Sequence, residues 1–167
     1  MRIAFMKDNT LQVDGANITF RNFSGRPSQY NREGERNFAL IIDDEEIAQA
    51  LQDDVNRYGV SWNVKIKAPR EEGDRPFMYL PVKVKYNGNN RDPKVYVESG
   101  RRRITLTEET IDMLDDIDIR SIELDIAPYD NEVNGRPYRA AYLQSMYVVQ
   151  EIDRFAARFA EEEHPEE

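Results

Sequence analysis

Alternation between apolar and polar positions is the main pattern in this chain, and it predicts a mainly β structure. Between residues 121 and 127, Ile122, Leu124 and Ile126 fall on one side and polar residues fall on the other. A period of two residues is typical of a half-buried strand. The same alternation, or a short apolar run, predicts strands over Ile18–Phe23, Asn37–Ile42, Val60–Lys67, Phe77–Tyr86, Lys94–Glu98, Ser121–Ala127 and Arg139–Val149. Residues 1–16 show little periodicity and are expected to form a lead-in strand or arm.

Two of these strands have predicted faces. In Phe77–Tyr86 the inward residues are Met78, Leu80, Val82, Val84 and Tyr86. In Arg139–Val149 one face carries Ala141, Leu143, Ser145, Tyr147 and Val149.

Helical spacing replaces the alternation in three places. Asp43 or Asp44 can cap a first helix, whose apolar residues recur at helical spacing until Gly59 ends it. A second helix is predicted over Glu108–Ile117, with an acidic solvated face. A short C-terminal amphipathic helix is predicted from Ile152, Phe155, Ala156 and Phe159.

The last two predicted strands are expected to form a β-hairpin. Asn134-Gly135 supplies the positive φ angles that a tight reversal needs. The segment around this turn combines rings with guanidinium groups, which indicates an exposed binding tip, although an ordinary polar turn remains an alternative. The residues concerned are Tyr129, Arg136, Tyr138 and Arg139.

The order of the elements favours a small β barrel. A helix between the third and fourth principal strands is typical of the OB-fold, in which a sheet face and two loops bind oligonucleotides. We therefore predict an OB-fold-like barrel with two inserted helices and a short C-terminal helix. Residues 1–158 would form one domain and residues 159–167 an acidic tail. Other small β barrels have similar spacing of elements.

The composition excludes several classes of function. The chain of 167 residues has no Cys and a single His, at position 164, so disulfides, thiolate metal sites and histidine catalysis are not expected. No apolar run approaches the length of a membrane span, and the N-terminus lacks a signal-peptide pattern. No phosphate loop or nucleophile motif is present. We expect a cytoplasmic, non-catalytic protein that needs no cofactor or metal.

The net charge of −9 argues at first against a nucleic-acid partner. The charge is nevertheless segregated, because acidic residues concentrate in the predicted helices and the tail, and this permits a basic face. Sequence-tolerant binding of single strands needs cations for the phosphates and rings for the bases. Three clusters combine them: Arg26, Tyr30, Arg32 and Arg36 in the first loop; Lys65, Lys67, Tyr79, Lys83 and Lys85 on central strands; and Tyr129, Arg136, Tyr138 and Arg139 at the hairpin tip.

Three further features have a structural interpretation, and for the first two it is favoured over a functional one. Trp62 alternates with Val64 and Ile66, which predicts a core residue rather than a stacking platform. Arg101-Arg102-Arg103 precedes the acidic second helix, so local ion pairing is favoured over phosphate binding. Pro81, at an outward position of its strand, predicts a sheet edge or a bulge.

Several motifs in a fixed order resemble a known family. They are Asn22-Phe23-Ser24-Gly25, the run from Tyr30 to Phe38, Trp62-Asn63-Val64-Lys65, the run from Pro69 to Asp74, the strand Tyr79 to Val84, and Val133-Asn134-Gly135 with Ala141-Tyr142-Leu143. Together, over roughly residues 18 to 150, the chain resembles the OB-fold single-stranded DNA-binding proteins of tailed-bacteriophage replication modules.

The resemblance implies a binding protein of the host cytoplasm whose main partner is single-stranded DNA. It also implies that an acidic C-terminal tail contacts replication proteins, although this tail lacks the terminal aromatic residue of the family pattern. A homodimer is left open. The alternatives are an acidic inhibitor that imitates DNA as an anti-defence factor, and an accessory virion protein. A continuous positive groove with exposed rings would favour DNA binding over imitation.

Overall fold

The computed structural model describes residues 1–155, and its architecture is mainly β. The strands are β1 (Arg2–Phe5), β2 (Leu11–Asp14), β3 (Ile18–Asn22), β4 (Arg36–Ile42), β5 (Lys65–Lys67), β6 (Phe77–Val84), β7 (Lys94–Ser99), β8 (Arg102–Leu106), β9 (Ile119–Val133) and β10 (Arg136–Gln150). An α-helix, α1 (Glu45–Asp53), follows β4, and a 3-10 helix (Ile111–Asp115) follows β8.

All ten strands belong to one sheet, whose main path is β1-β2-β9-β10-β6-β4-β3. Strand β5 pairs with β6, and β7 pairs with both β10 and β8. The strands at the two ends of the path, β1 and β3, do not pair with each other, so the described sheet is open. The closed barrel predicted from the sequence is therefore not observed. Alternation identifies a strand and its buried face, but it does not say which strand edges meet.

The core lies against the inner face of the central strands. Alternate residues of β6 from Met78 to Val84 are buried, as are those of β4 from Phe38 to Ile42. Trp62 is only 2% exposed, which confirms it as a core residue. These apolar side chains form one cluster with residues from β2, β7, β9 and β10. Burial of this cluster is the main stabilising contribution to the fold.

The helices are shorter than their sequence patterns predict. Helix α1 begins after its N-cap Asp44 but ends at Asp53, so Val55 and Tyr58 lie outside it and are exposed. The Asn56 side chain explains this end, because it accepts hydrogen bonds from the backbone N–H groups of Tyr58 and Val60 and thereby forms a loop. The second predicted helix is the five-residue 3-10 helix, in which Ile111 and Leu114 are buried.

Three strand predictions also need correction. Only Lys65–Lys67 of the predicted strand Val60–Lys67 is paired, and Ile66 is 55% exposed. Residues 1–16, which were expected to form a lead-in strand or arm, contain the hairpin β1–β2. Strand β8, which the sequence pattern does not predict, begins at Arg102 and includes Arg103. In β10 a register shift between Leu143 and Ser145 reverses the alternation after Gln144. Met146 and Val148 are therefore buried with Leu143, and Tyr147, which was predicted to share the face of Leu143, lies on the opposite face.

The hairpin prediction is confirmed. Strands β9 and β10 pair up to Val133 and Arg136, so Asn134-Gly135 forms the two-residue turn, with φ of 52° and 77°. The predicted C-terminal helix lies largely outside the described residues, as do the domain boundary at residue 158 and the tail 159–167. Within residues 1–155 the structure contains no helix that is long and apolar enough to cross a membrane.

Candidate nucleic-acid interface

The outer face of β6 brings cations and rings from three strands together. Alternation points Phe77, Tyr79, Pro81 and Lys83 away from the core, because their neighbours Met78, Leu80, Val82 and Val84 are buried. The register places Lys65 beside Tyr79, Lys67 beside Phe77, and Tyr142 of β10 beside Lys83. Directly paired residues share a face. Strand pairing therefore assembles a mixed surface that no single segment contains.

At one end of this face lies a group that we call the β6 cluster: Phe20, Phe77, Tyr79 and Lys67. The Phe77 and Tyr79 rings are stacked with centroids 5.4 Å apart, and Phe20 meets both edge-on at 6.1 and 5.7 Å. The Lys67 amine is 5.3 Å from the Phe20 ring centroid and 5.7 Å from that of Tyr79. These are cation–π distances. The cluster thus offers aromatic surface next to a positive charge.

The backbone at Phe20 is unusual. Its φ is 50°, in the left-handed region that non-glycine residues rarely adopt, and the β3–β4 register breaks between Thr19 and Asn22. The ring is nevertheless 56% exposed. Such strained positions concentrate at functional sites. The break thus supports a binding role for Phe20.

A second group on the same face, the hairpin cluster, comprises Tyr129, Tyr138, Tyr142 and Lys83. The Tyr129 ring centroid is 6.4 Å from that of Tyr138 and 5.9 Å from that of Tyr142. The Lys83 amine lies 5.9 Å from the Tyr142 ring centroid. Tyr129 is 47% exposed, and Tyr138 and Tyr142 are half-buried. Rings and a cation are again adjacent.

A groove of about 550 Å³ lies beside the hairpin cluster, because Lys83 and Tyr138 line it and no residue of the β6 cluster does. On the side of β6 away from β4, β5 pairs only with residues 77–79 and β10 only with Lys83. Pro81 occupies the interval, where the missing N–H of proline removes no ladder hydrogen bond. The groove opens at this split in the sheet. Its lining comes from β6, from β10 (including the inner-face Arg139), from the segment 60–64 and from Gln52 of α1.

Arg139 differs from the sequence prediction of a cation exposed at the hairpin tip. It is 6% exposed, and its guanidinium group donates two hydrogen bonds to the Asp130 carboxylate at 2.7 and 3.1 Å. It also donates to the backbone oxygen and to Oδ2 of Asp54, both at 3.3 Å, and lies 5.1 Å from the Trp62 ring centroid. The reason is strand parity, because Arg139 shares the inner face with buried Ala141.

This network has an electrostatic consequence. The hydrogen bond from Arg139 lowers the pKa of Asp130 below its ordinary value, and a hydrogen bond from Asn56 adds to the shift, although burial opposes it. The Trp62 indole donates to Asp54 Oδ2 at 2.8 Å. Arg139 therefore connects the hairpin to the segment after α1.

The first loop is divided between different surroundings. Arg26 lies 3.4 Å from the Asp115 carboxylate, and Arg36 donates to the Phe23 carbonyl oxygen at 2.9 Å and lies 3.5 Å from a Glu108 oxygen. Arg36 pairs with Val84 in the β4–β6 register, on the inner face. Strand parity thus directs it away from Lys83. The three predicted clusters do not fully converge.

Other predicted residues of the site are exposed. Tyr30 is 85% exposed, and Arg32 lies in the same loop. The loop approaches the candidate face through Asn37, whose side-chain amide donates to Asn31 Oδ1 at 2.6 Å. Lys85 follows the end of β6, and Arg136 follows the hairpin turn. These positions leave their side chains accessible to a ligand.

Arg36 also covers the Tyr86 ring, with its guanidinium carbon 5.6 Å from the ring centroid. Burial raises the pKa of Tyr86 above its ordinary value, and its buried hydroxyl has no hydrogen-bond partner among the described residues. This pair lies on the inner side of the sheet with Val84. It therefore belongs to the packing of the fold and not to the candidate face.

The structure adds Phe20, Phe77 and Tyr142 to the candidate site. Phe77 could have been found from the sequence, because it precedes the inward Met78 in the alternating pattern of β6. Tyr142 likewise lies between buried Ala141 and Leu143. Phe20 could not be recognised that way, since its neighbours on the face come from β5 and β6. A second groove, of about 860 Å³, has four carboxylates in its lining (Asp43, Asp44, Glu45 and Glu46) together with Arg75 and Phe77, and this excess of negative charge disfavours phosphate.

Among residues 1–155 no group of three or more His, Cys, Asp or Glu side chains is arranged to hold a metal ion. Arg103 of β8 lies over the Tyr147 ring, with its guanidinium carbon 5.5 Å from the ring centroid. It is thus placed on the outer face of β10 beyond the bulge, at some distance along the strand from the hairpin cluster.

Comparisons with known proteins show a family and a similar fold. The model of a family described as "Putative phage ssDNA-binding domain" matches residues 2–167. No curated protein matches the chain. The fold is similar to that of the single-stranded DNA-binding protein from bacteriophage Enc34 in complex with ssDNA, with a TM-score of 0.50 and 13% identity over 92% of this chain and 93% of that chain.

Two further structures of the Enc34 protein are also similar. The C-terminal truncation gives a TM-score of 0.49 and 12% identity over 90% of this chain and 91% of that one. A third structure, of the Enc34 single-stranded DNA-binding protein, gives a TM-score of 0.48 and 14% identity over 92% of this chain and 87% of that chain.

Proposed function

The chain belongs to the family of phage single-stranded DNA-binding domains, and from this premise we propose that it binds single-stranded DNA across the β6 and hairpin clusters. The observation that carries the proposal is the pairing of exposed or half-buried rings with lysine amines at both ends of one sheet face. Bases stack on the rings whatever their identity, and the amines follow the phosphates.

The expected mode of binding is stoichiometric and depends on salt. Each phosphate that a cation neutralises releases counterions, so affinity falls as the salt concentration rises. Lys67 and Lys83 are the central cations, with Lys65, Lys85 and Arg136 as further contacts. Arg139 is not included because its donors are directed to Asp130 and Asp54. We place this activity in a phage replication module of the host cytoplasm, with the acidic tail available to replication proteins.

The test is a titration of the full chain with fluorescent oligo(dT) at several salt concentrations. We expect tight binding at low salt, and we expect Lys83→Ala to reduce the log–log salt slope by about 0.7, the value for one contact with a single-strand phosphate. Lys7→Ala is the matched control, because Lys7 is an exposed lysine beside the β1–β2 turn. No binding at low salt, or equal slopes for the Lys83 variant and wild type, would overturn the proposal.

A further inference from the structure

The groove beside the hairpin cluster has the size of a site for a small organic group. Its volume of about 550 Å³ lies within the range of roughly 300–1,000 Å³ that is usual for ligand pockets. Pro81 and Lys83 contribute from β6, Tyr138 from β10, and residues 60–64 from the segment before β5. A base in this groove would lie beside Lys83 and Tyr138 of the hairpin cluster.

Two side-chain amides in the groove have no partner in the structure. Gln52 and Asn63 both line it and are exposed, and neither forms a hydrogen bond among the described residues. Other amides are used internally: Asn56 donates to Asp130, Asn37 donates to Asn31, and Gln49 donates to Asp53. Each free amide offers two donors and an acceptor. That combination matches the hydrogen-bonding edges of nucleobases.

A strand that contacts both clusters passes Pro81, which lines the groove. Tyr79 and Lys83 are four residues apart on β6, about 13 Å along a strand. A nucleic acid that stacks on both clusters therefore has at least part of one nucleotide over the interval, where Pro81 offers no aromatic ring. Lys83 stands at the end of the groove and is placed to hold the adjoining phosphate.

The walls of the groove are fixed by the Arg139 network. Arg139 joins Asp130 of the hairpin to Asp54, and Asp54 accepts a hydrogen bond from Trp62, which itself lines the groove. The segment that carries Asn63 is thus tied to β10 by buried polar contacts. A preformed site loses less conformational entropy when it binds its ligand.

We propose that this groove takes one nucleobase of the bound strand out of the stack, with the amides of Gln52 and Asn63 hydrogen-bonded to its edge. The inference rests on the proposed function and adds a site that stacking alone does not require. Because an amide can pair with an edge of any base, the site distinguishes a base from no base more strongly than one base from another.

The test uses short oligo(dT) molecules, just long enough for full affinity, each with one abasic position at a different place. With the wild-type chain we expect one position to be more sensitive than its neighbours. Asn63→Ala should weaken binding of intact oligo(dT) roughly threefold to tenfold, the scale of one or two hydrogen bonds. The same substitution should have no further effect when the sensitive position is abasic.

Asn90→Ala is the matched control, since Asn90 is an exposed amide in the turn after β6. Gln52→Ala supplies a second variant and should behave like Asn63→Ala. An equal penalty at every abasic position, together with equal affinities for the Asn63 and Asn90 variants, would overturn the groove site. In that case salt-dependent binding of intact oligo(dT) would still support the proposed function, whereas absence of binding would overturn both.

Discussion

Lys83 and Arg139 are two cations beside aromatic rings near one groove, and their surroundings differ completely. Lys83 is exposed, and its amine lies 5.9 Å from the centroid of the Tyr142 ring. Arg139 is buried, lies 5.1 Å from the centroid of Trp62, and is paired with two carboxylates. A cation next to a ring is therefore not by itself a sign of a nucleic-acid site. What distinguishes the two is whether the charge is already neutralised by the protein.

The comparison also separates two uses of strand alternation. Tyr138 and Arg139 are consecutive, but they face opposite sides of β10. On the outer side a side chain is available to a ligand. On the inner side it must satisfy its charge within the protein, because a buried unpaired charge is costly.

The largest effect that would sharpen this contrast is expected from Arg139→Ala. Removing one partner of a buried ion pair leaves the other unsatisfied, which commonly costs about 3–5 kcal/mol. Asp54 and Asp130 keep about a third of their side-chain exposure, so we expect a value near the lower end. Urea unfolding would measure the free energy of unfolding.

The control for that experiment is Arg136→Ala, an exposed arginine beside the same turn, which should leave stability nearly unchanged. Oligo(dT) binding by the folded Arg139 variant should retain the wild-type salt slope. A stable Arg139→Ala variant with a reduced slope would show that Arg139 contacts phosphate after all.

A smaller effect is expected on the outer side, from Tyr142→Leu. Loss of the ring should weaken oligo(dT) binding by roughly 1–3 kcal/mol, the value of stacking one base. Tyr142→Phe keeps the ring and should bind nearly as the wild type does. Fluorescence titration of both variants measures the difference, and equal affinities for the Leu and Phe variants would remove Tyr142 from the interface.

The smallest effect concerns pH. Because Arg139 lowers the pKa of folded Asp130, ionised Asp130 contributes stability above its unfolded pKa of about 3.9, and this contribution is lost as the pH falls through the folded value. Asp130→Asn should remove this acid-dependent part of the stability profile. Urea unfolding between about pH 5 and pH 3 measures it.

Asp74→Asn, in an exposed loop, is the control for the pH experiment and should keep the wild-type profile. If the Asp130 variant loses as much stability on acidification as the wild type, the Arg139–Asp130 pair contributes nothing that depends on pH.

Local patterns predicted much of the fold. The inward residues of β6 and the Asn134-Gly135 turn depend on neighbours in sequence, and both are observed as predicted. Helix α1 ends at Asp53, before the predicted end at Gly59, because the side chain of Asn56 accepts hydrogen bonds from the backbone that would have continued the helix. The bulge at Gln144 cannot be recognised from the alternation of apolar residues. The prediction that Tyr147 lies on the same face as Leu143 is therefore wrong.

The sequence by itself determined the mainly β class, the buried alternate positions and the presence of cations and rings, because these depend on residue type and a period of two. Only the tertiary structure decided that the sheet stays open, that Phe20 joins Tyr79, and that Lys83 joins Tyr142. It also decided that Arg139 is buried against Asp54. The physical reason is that pairing between distant strands, and the carboxylates that this pairing brings near, are non-local interactions that no local pattern encodes.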